Sequence, residues 1–253
     1  MLTSQQRQRW HSYYTRKRMR HQHYQLYLLD RFIFQKNINI NKILEIGPAF
    51  GAVTAMLKGA DYDVTTLDIV PQMFTFPQNI SHIQADLRHV HPEDIKGFDA
   101  IICCETLEHI DYSDVPSVLK KFRASGARYL ITSVPYMGFQ LAFDFYINSY
   151  AIKQFFCLKK FNTNTESKQV TNQGQKSPEN SQNNDPKNAL NKIEISNFKK
   201  FKKEPEGEHQ WEVGYKETPL KLWEKTLADA GWSIVVRDFT VHTRSVFHIL
   251  EAK

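Results

Sequence analysis

The segment Ile43-Leu44-Glu45-Ile46-Gly47-Pro48-Ala49-Phe50-Gly51-Ala52-Val53-Thr54 decides the fold that this sequence predicts. A short apolar run ends at a glycine, a second glycine follows four residues later, and the residues from Ala52 onward suit the start of a helix. A turn between a buried strand and a helix gathers backbone N–H groups and the positive end of a helix dipole. Glycine lets a ligand approach such a backbone closely. The segment therefore predicts a ligand-binding turn, although an ordinary strand-to-helix turn of an α/β protein has the same pattern.

Glu45 is the unusual residue of this segment, because a central parallel strand is normally apolar. A carboxyl group buried at the end of a strand needs a partner. Gly47 and Gly51 do not have the spacing of the dinucleotide fingerprint, which disfavours a nicotinamide-dependent dehydrogenase. A phosphate-binding loop needs a Lys-Ser/Thr pair after its last glycine, and Ala52-Val53 stands there instead.

Apolar strands alternate with helices along most of the chain, which predicts a doubly wound α/β sheet with ligand sites at the carboxyl ends of its strands. The predicted strands span 43–46, 63–67, 80–84, 98–104, 128–134, 233–237 and 245–250. Helices are expected over 4–36, 52–58 and 114–125. A further helix is expected to open at Thr218-Pro219, with Thr218 as its N-cap, and to end at Ala230-Gly231.

Acidic residues stand where the next strands of this sheet end. Asp68 closes the second strand about twenty residues after the first glycine, where an adenosine-binding α/β fold accepts hydrogen bonds from ribose hydroxyls. Asp86 follows the third strand, a place where turn aspartates are also common. The fourth strand leads into a segment with Glu108 and His109, which can carry out acid–base chemistry or merely organise the loop.

Three stretches of the sequence resemble one enzyme family. Residues 44–51 resemble motif I of the class I S-adenosylmethionine-dependent methyltransferases, with Ala49 in place of the middle glycine. Residues 99–109 are similar to the stretch that follows the fourth strand in the type-11 branch of that family. His209-Gln210-Trp211-Glu212, together with the segment from Thr218 to Trp232, resembles the C-terminal part of the type-11 and type-23 branches.

The resemblance implies a Rossmann-like sheet of seven strands whose last strand is antiparallel, S-adenosylmethionine as the cofactor, and methyl transfer as the reaction. In that family the adenine amino group meets an Asp after the third strand, the position of Asp86. His109 and His209 are our two candidates for the base that removes an acceptor proton. The cofactor-binding positions that the resemblance implies are Glu45, Gly47, Ala49, Gly51, Asp68, Ile69, Asp86, Leu87, Cys104 and Glu105.

Charge is unevenly distributed, and it bears on the methyl acceptor. Residues 1–36 contain eight Lys or Arg and one Asp, and residues 159–204 contain ten Lys and five acidic residues, whereas the whole chain carries only +6. The remainder is therefore acidic. We accordingly expect a small-molecule, glycan or lipid-precursor acceptor. An RNA methyltransferase that uses the basic N-terminal helix is the first alternative, and a non-catalytic cofactor-fold binding protein is the second.

Composition also divides the chain and suggests its compartment. We expect a basic helical cap over 1–36, a cofactor-binding core over 37–158, a flexible polar insertion over 159–205 and a completion of the sheet over 206–253. The sequence has no C-x-x-C pair, and we expect no metal site. No signal-peptide core and no apolar run of about 18–20 residues is present, so a cytoplasmic protein without a membrane span is expected.

Overall fold

A seven-stranded sheet forms the centre of the structure, a computed structural model that describes residues 19–72, 79–138, 208–240 and 243–253. Its strands are β1 Lys42–Ile46, β2 Asp63–Asp68, β3 Ser81–Gln84, β4 Ala100–Cys104, β5 Tyr129–Pro135, β6 Trp232–Thr240 and β7 Ser245–Ala252. They lie in the order β3-β2-β1-β4-β5-β7-β6. The first five strands are parallel, and β7 is antiparallel to both of its neighbours. The predicted doubly wound sheet with an antiparallel last strand is confirmed.

Within the described ranges, four α-helices pack against the sheet: α1 Met19–Lys36, α2 Ala52–Gly59, α3 Val115–Ala124 and α4 Leu220–Asp229. Two short 3₁₀ turns, Pro92–Ile95 and Leu107–His109, lie in the connections on either side of β4. Pro116 occupies the first turn of α3, as expected from its missing backbone donor.

Two apolar layers hold these helices against opposite faces of the sheet. Successive residues of a strand face opposite sides, so Leu44 belongs to one layer and Ile43 to the other. The first layer contains residues of α3 and α4 and three tryptophans, Trp211, Trp223 and Trp232. Complete burial of a large apolar side chain contributes about 1.5–3 kcal/mol. These aromatic residues therefore fix the C-terminal part of the chain to the sheet.

Helix α1 belongs to the second layer. Leu28, Leu29 and Phe32 are each only 2% exposed and pack in the same cluster as residues of β1, β4 and β5. The sequence predicted a basic helical cap over 1–36, and the structure adds that the apolar side of this helix is part of the core. The aromatic and basic residues that precede Met19 lie outside the described residues.

Several predicted boundaries differ from the observed ones for identifiable reasons. Strand β4 begins at Ala100 and not at Phe98, because the Asp99 carboxylate accepts hydrogen bonds from the backbone N–H groups of Asn41 and Lys42, at 2.8 and 2.9 Å. Strand β6 is longer than predicted because its pairing with β7 continues to Thr240.

Thr218 is not the N-cap of α4, and that prediction was wrong. The N-cap residue is Pro219, and the Thr218 hydroxyl donates to the backbone carbonyl of Glu212. This bond closes the loop that carries His209 to Glu212 onto the start of the helix.

All described residues lie in one compact unit. The predicted insertion 159–205 falls outside the described residues, and the fourfold division of the chain stays a prediction. Among the helices that the structure describes, none has the length and hydropathy needed to cross a bilayer.

Candidate functional site

The predicted cofactor residues gather along one edge of the sheet. Strands β1 to β4 are parallel neighbours, so their carboxyl ends meet at the same edge. Gly47 follows β1, Asp68 ends β2, Asp86 comes shortly after β3, and Glu105 follows β4 directly. The fold therefore brings residues that are distant in sequence into one row.

The turn between β1 and α2 approaches the neighbouring loop closely. Gly47 has a φ of +69° and Gly51 a φ of +73°. A Cβ atom at Gly47 would lie 2.5 Å from Oγ1 of Thr106, so any other residue at this position would displace the Thr106 side chain. Ala49, at the position of the missing middle glycine, also adopts a left-handed φ of +48°, at a cost of about 1–2 kcal/mol. The turn thus keeps the backbone geometry of a glycine-rich loop in spite of the substitution.

Glu45 finds its partner in the first turn of α2. The Thr54 hydroxyl donates to Oε2 of Glu45 at 2.5 Å, and both side chains are buried. Burial raises the pKa of Glu45 from 4.5 to about 7, and the hydrogen bond from Thr54 opposes this rise. The carboxyl group is therefore poised between its neutral and ionised forms near neutral pH, directly beneath the turn.

Asp68 lies at an open strand end beside exposed apolar surface. Its Oδ1 accepts a hydrogen bond from the backbone N–H of Val70 at 3.3 Å. Ile69 is 59% exposed and Val70 37% exposed, which is unusual for two adjacent aliphatic side chains. An acceptor carboxylate beside exposed apolar surface suits a ligand that combines hydroxyl groups with a flat apolar ring.

Asp86 is held by Arg88. The Arg88 guanidinium donates to both carboxylate oxygens of Asp86, with Nη2 2.6 Å from Oδ2 and Nε 3.1 Å from Oδ1. These hydrogen bonds lower the pKa of Asp86 to about 2. A ligand that uses this carboxylate must share it with Arg88. The neighbouring Leu87 is only 7% exposed, and its side chain packs in the core layer that contains α3.

The end of β4 is connected to α1. Burial raises the pKa of the Cys104 thiol, whose sulfur lies 3.9 Å from the backbone oxygen of Ile131, so this residue has the character of an inert core cysteine. Glu105 has a φ of +51°, and its Oε1 accepts a hydrogen bond from the Ser133 hydroxyl at 3.1 Å. Nε2 of His21 lies 3.4 Å from the same oxygen and 3.0 Å from the Ser133 hydroxyl.

His109 and His209, the two candidate bases, meet in space although one hundred residues separate them. Their ring centroids are 5.2 Å apart, with an angle of 75° between the ring planes. Gln210 holds the two loops together, because its backbone N–H donates to the Glu108 carbonyl at 2.8 Å and its side chain donates to the His109 carbonyl at 2.9 Å. The structure therefore brings both predicted residues to one place beyond the carboxyl end of β4.

Two glutamates surround this histidine pair. Glu108 is completely buried, and one of its carboxylate oxygens lies within 4.8 Å of a ring nitrogen of each histidine. Nδ1 of His209 lies 2.9 Å from Oε1 of Glu212, which is 2% exposed. Burial lowers the pKa of His109, and the neighbouring His209 lowers it further. His109 is therefore a neutral imidazole at neutral pH, able to accept a proton or to bind a cation through nitrogen.

Sequence reasoning missed the residues that support these groups. Thr54, Thr106, His21 and Ser133 each reach the site through contacts between distant parts of the chain or between a strand and the following helix. His21 and Ser133 are 112 residues apart, so no local pattern could reveal their contact. Arg88 is different, because its position two residues after Asp86 was a visible signal for an ion pair.

The residues of this edge fit S-adenosylmethionine, the cofactor implied by the sequence resemblance. The close approach at Gly47 would provide a backbone cradle, and Asp68 with Ile69 would provide an acceptor and an apolar surface for the adenosine moiety. The ligand is cationic at its sulfonium and ammonium groups, which matches an edge that carries the Glu45, Asp68 and Asp86 carboxyl groups.

Comparisons with known proteins agree with this geometry. Residues 44–126 match a family model described as a methyltransferase domain. The structure resembles that of magnesium protoporphyrin IX methyltransferase from Synechocystis PCC 6803 with bound S-adenosylhomocysteine, with a TM-score of 0.54 and 15% identity over 98% of this chain and 94% of that chain. The PH0226 protein of Pyrococcus horikoshii OT3 is similar as well, with a TM-score of 0.50 and 14% identity over 89% of this chain and 88% of that chain. At these identities the likeness concerns the fold. No curated protein compared with the chain matches its sequence.

Proposed function

We propose that this chain is a class I S-adenosylmethionine-dependent methyltransferase that transfers the methyl group to a small molecule or to a glycan or lipid precursor. The match of residues 44–126 to a methyltransferase domain supports the enzyme class and the cofactor. The acceptor class and the roles of individual residues are part of the proposal.

The geometry of the turn at Gly47 is the main observation that supports cofactor binding at this edge. Its close approach to Thr106 joins the end of β1 to the end of β4, the two strands that border the predicted binding edge. We assign the amino acid part of the cofactor to this turn. Asp68 and Ile69 then face the ribose and adenine, as their positions at the end of β2 suggest.

The acceptor half of the proposal rests on charge and on the histidine pair. The parts of the chain outside 1–36 and 159–204 carry a net negative charge, which disfavours a long polyanion as the partner of the core. His109, His209 and Glu108 offer a compact polar cluster on the acceptor side of the β4 edge. A cluster of this size can orient one nucleophilic group of a small acceptor.

The chain's own residues have three tasks in this reaction. S-adenosylmethionine, when bound, supplies a methyl group that its sulfonium already activates. The turn at Gly47 and the carboxylate of Asp68 fix the orientation of the cofactor, which is the main requirement of an in-line displacement. His109 or His209 takes the proton of the acceptor, and the low pKa of His109 keeps its imidazole available as a base at neutral pH.

The test has a binding step and a transfer step. Calorimetry with S-adenosylhomocysteine should give a dissociation constant in the low micromolar range, about −8 kcal/mol. Cofactor labelled in its methyl group is then incubated with three separate pools: small molecules with glycan and lipid precursors, total RNA, and no acceptor. Label in the first pool supports the proposal.

The other outcomes would favour one of the alternative functions. Label that ribonuclease releases, with binding that weakens steeply as salt is raised, would make RNA the acceptor. Cofactor binding without transfer to any pool would favour a non-catalytic binding protein. Absence of heat and of a thermal shift at millimolar ligand would contradict the assignment of the cofactor to this edge.

A further inference from the structure

Glu108, His109 and His209 have the geometry of a cation site. One ligand atom from each residue, a carboxylate oxygen or a ring nitrogen, lies within 4.8 Å of the corresponding atoms of the other two. Nitrogen and oxygen ligands stand about 2.0–2.2 Å from a bound Zn²⁺, so two ligands of one ion are at most about 4.4 Å apart. Small rotations of exposed or half-buried imidazoles would complete such a site.

The surroundings of the His209 imidazole strengthen this interpretation. Histidines that bind metals almost always donate their other ring N–H to a carboxylate or a backbone carbonyl, which fixes the ring and its tautomer. Here Nδ1 of His209 lies 2.9 Å from Oε1 of the buried Glu212. Nδ1 of His209 is occupied in this way, which leaves Nε2 as the nitrogen that would bind an ion.

The three residues come from two separate segments that the fold holds rigidly together. Glu108 and His109 belong to the 3₁₀ turn after β4, and His209 lies in the loop before α4. The Trp211 indole N–H donates to the Ile110 carbonyl at 3.0 Å, in addition to the bonds of Gln210 described above. The site is thus preorganised, with the positions of its ligands fixed by backbone and core contacts.

We propose that Glu108, His109 and His209 bind one divalent first-row transition-metal ion, with Glu212 orienting the His209 imidazole. Two imidazoles and one carboxylate suit Zn²⁺, Co²⁺, Fe²⁺ or Mn²⁺. Three protein ligands leave at least one coordination position open to water or to an exogenous oxygen. This assignment departs from the sequence analysis, which expected no metal.

The position of the site suggests what the open coordination position binds, a step that rests on the proposed function. Thr106, two residues before Glu108, contacts the turn at Gly47, so the cluster lies on the acceptor side of the cofactor edge. A metal-bound hydroxyl group loses its proton at lower pH than a free one. The acceptor would therefore be a hydroxyl group. Its O–H bond breaks, and the proton is released to solvent. A lone pair of the oxygen then forms the new bond to the methyl carbon, while the electrons of the broken S–CH₃ bond remain on sulfur. With the ion bound, the histidines act as its ligands, and this role replaces the role of base proposed for them above.

Metal binding can be measured without any methyl transfer. Tag-free protein, stripped with a chelator and then dialysed, is titrated with Co²⁺ while visible absorption and calorimetric heat are followed. We expect one equivalent to bind, with ligand-field bands that Zn²⁺ abolishes by displacement. Absence of saturable one-to-one binding by the folded wild-type chain would overturn the proposal.

Substitutions then locate the ion. His109→Gln and His209→Gln should each weaken Co²⁺ binding at least tenfold, and Glu212→Gln should weaken it by about 10–100-fold through the orientation of His209. His89→Gln is the matched control, because His89 is 80% exposed and lies outside the cluster. Unchanged Co²⁺ affinity in the three cluster variants would overturn the proposal.

A measurement on the wild-type chain keeps the test decisive if a variant fails to fold. Diethyl pyrocarbonate modifies accessible histidines, and mass spectrometry reports each site. Bound Zn²⁺ should protect His109 and His209 and leave His89 reactive, whereas equal modification with and without Zn²⁺ would contradict the assignment.

Calorimetry with S-adenosylhomocysteine separates this inference from the proposed function. Normal binding of this ligand by the metal-free protein, together with absent Co²⁺ binding, would overturn the metal site and leave the methyltransferase assignment intact. Co²⁺ binding at the cluster without binding of S-adenosylhomocysteine would support the metal site and contradict the methyltransferase assignment.

Discussion

The Thr54 hydroxyl lies 2.5 Å from Oε2 of Glu45 and joins the first turn of α2 to the end of β1. This bond stabilises the two ends of the turn that carries Gly47 and Gly51. It also compensates in part for the burial of a carboxyl group within the sheet. Burial of Glu45, which this bond offsets only in part, makes the stability of the cofactor edge depend on pH.

Glu45→Gln should remove that dependence. Burial raises the pKa of Glu45 from 4.5 to about 7 in the folded state. The folded state therefore gains stability from this group below pH 4.5, and the gain is lost as the pH rises through about 7. Relative to the wild type, Glu45→Gln should gain roughly 3 kcal/mol in the free energy of unfolding between pH 4 and pH 8.

Urea unfolding of both proteins at several pH values checks this prediction. Thr54→Val serves as the comparison, since it removes the donor and should raise the pKa of Glu45 further. Parallel stability profiles for wild type and Glu45→Gln would mean that Glu45 does not titrate in this range.

Gly47→Ala should weaken cofactor binding and the fold together. The new Cβ would lie 2.5 Å from Oγ1 of Thr106, and the left-handed backbone alone costs about 1–2 kcal/mol. Gly97→Ala is the matched control, because Gly97 has a φ of +87° but no atom within 4 Å of its would-be Cβ. We expect at least a tenfold loss of affinity for S-adenosylhomocysteine in Gly47→Ala and none in Gly97→Ala. Equal affinity of the two variants for S-adenosylhomocysteine would show that the close approach of Gly47 to Thr106 does not contribute to cofactor binding.

Asp68→Ala should weaken the cofactor by roughly 1–3 kcal/mol, because it removes the acceptors that pair with ribose hydroxyls. Asp63→Ala is a suitable control, since Asp63 begins the same strand and is exposed at its opposite end. Calorimetry with S-adenosylhomocysteine measures both affinities, and thermal unfolding verifies that both variants are folded. Normal binding of S-adenosylhomocysteine by Asp68→Ala would show that Asp68 is a turn residue without a role in cofactor binding.

The sequence was most informative where function depends on residues next to a strand end. Glu45, Gly47, Gly51, Asp68 and Asp86 could be chosen because each interrupts or follows an apolar run, and parallel strands align such positions at one edge. The seven-stranded sheet and its antiparallel last strand followed from the family resemblance and are confirmed.

The sequence was least informative where function depends on contacts across the fold. The wrong N-cap at Thr218 has this origin, since its hydroxyl finds the Glu212 carbonyl in a loop whose path was unknown. The cluster of Glu108 with His109 and His209 was not foreseen as a cation site, because no ligand spacing along the chain indicates it. Distances between side chains one hundred residues apart depend on packing, which propensity and periodicity do not specify.

Replacement of His21 tests whether α1 supports the active edge, as its contacts suggest. His21 is 3% exposed, its Nε2 lies 3.0 Å from the Ser133 hydroxyl and 3.4 Å from Oε1 of Glu105, and its Nδ1 lies 2.9 Å from Nε2 of Gln25. His21→Ala leaves buried polar groups with fewer partners, and the loss should be about 1–3 kcal/mol of unfolding free energy. Because Glu105 follows β4 at the cofactor edge, affinity for S-adenosylhomocysteine should also fall several-fold.

His23→Ala is the control for that experiment, since His23 lies two residues further along the same helix and is exposed. Its unfolding free energy should remain within about 0.5 kcal/mol of the wild type. Urea unfolding and calorimetry on the two variants separate a general effect on α1 from a specific one at His21. If both variants lose stability equally and bind the ligand normally, α1 contributes only its apolar face to the core, and the contact between His21 and Glu105 has no part in holding the site.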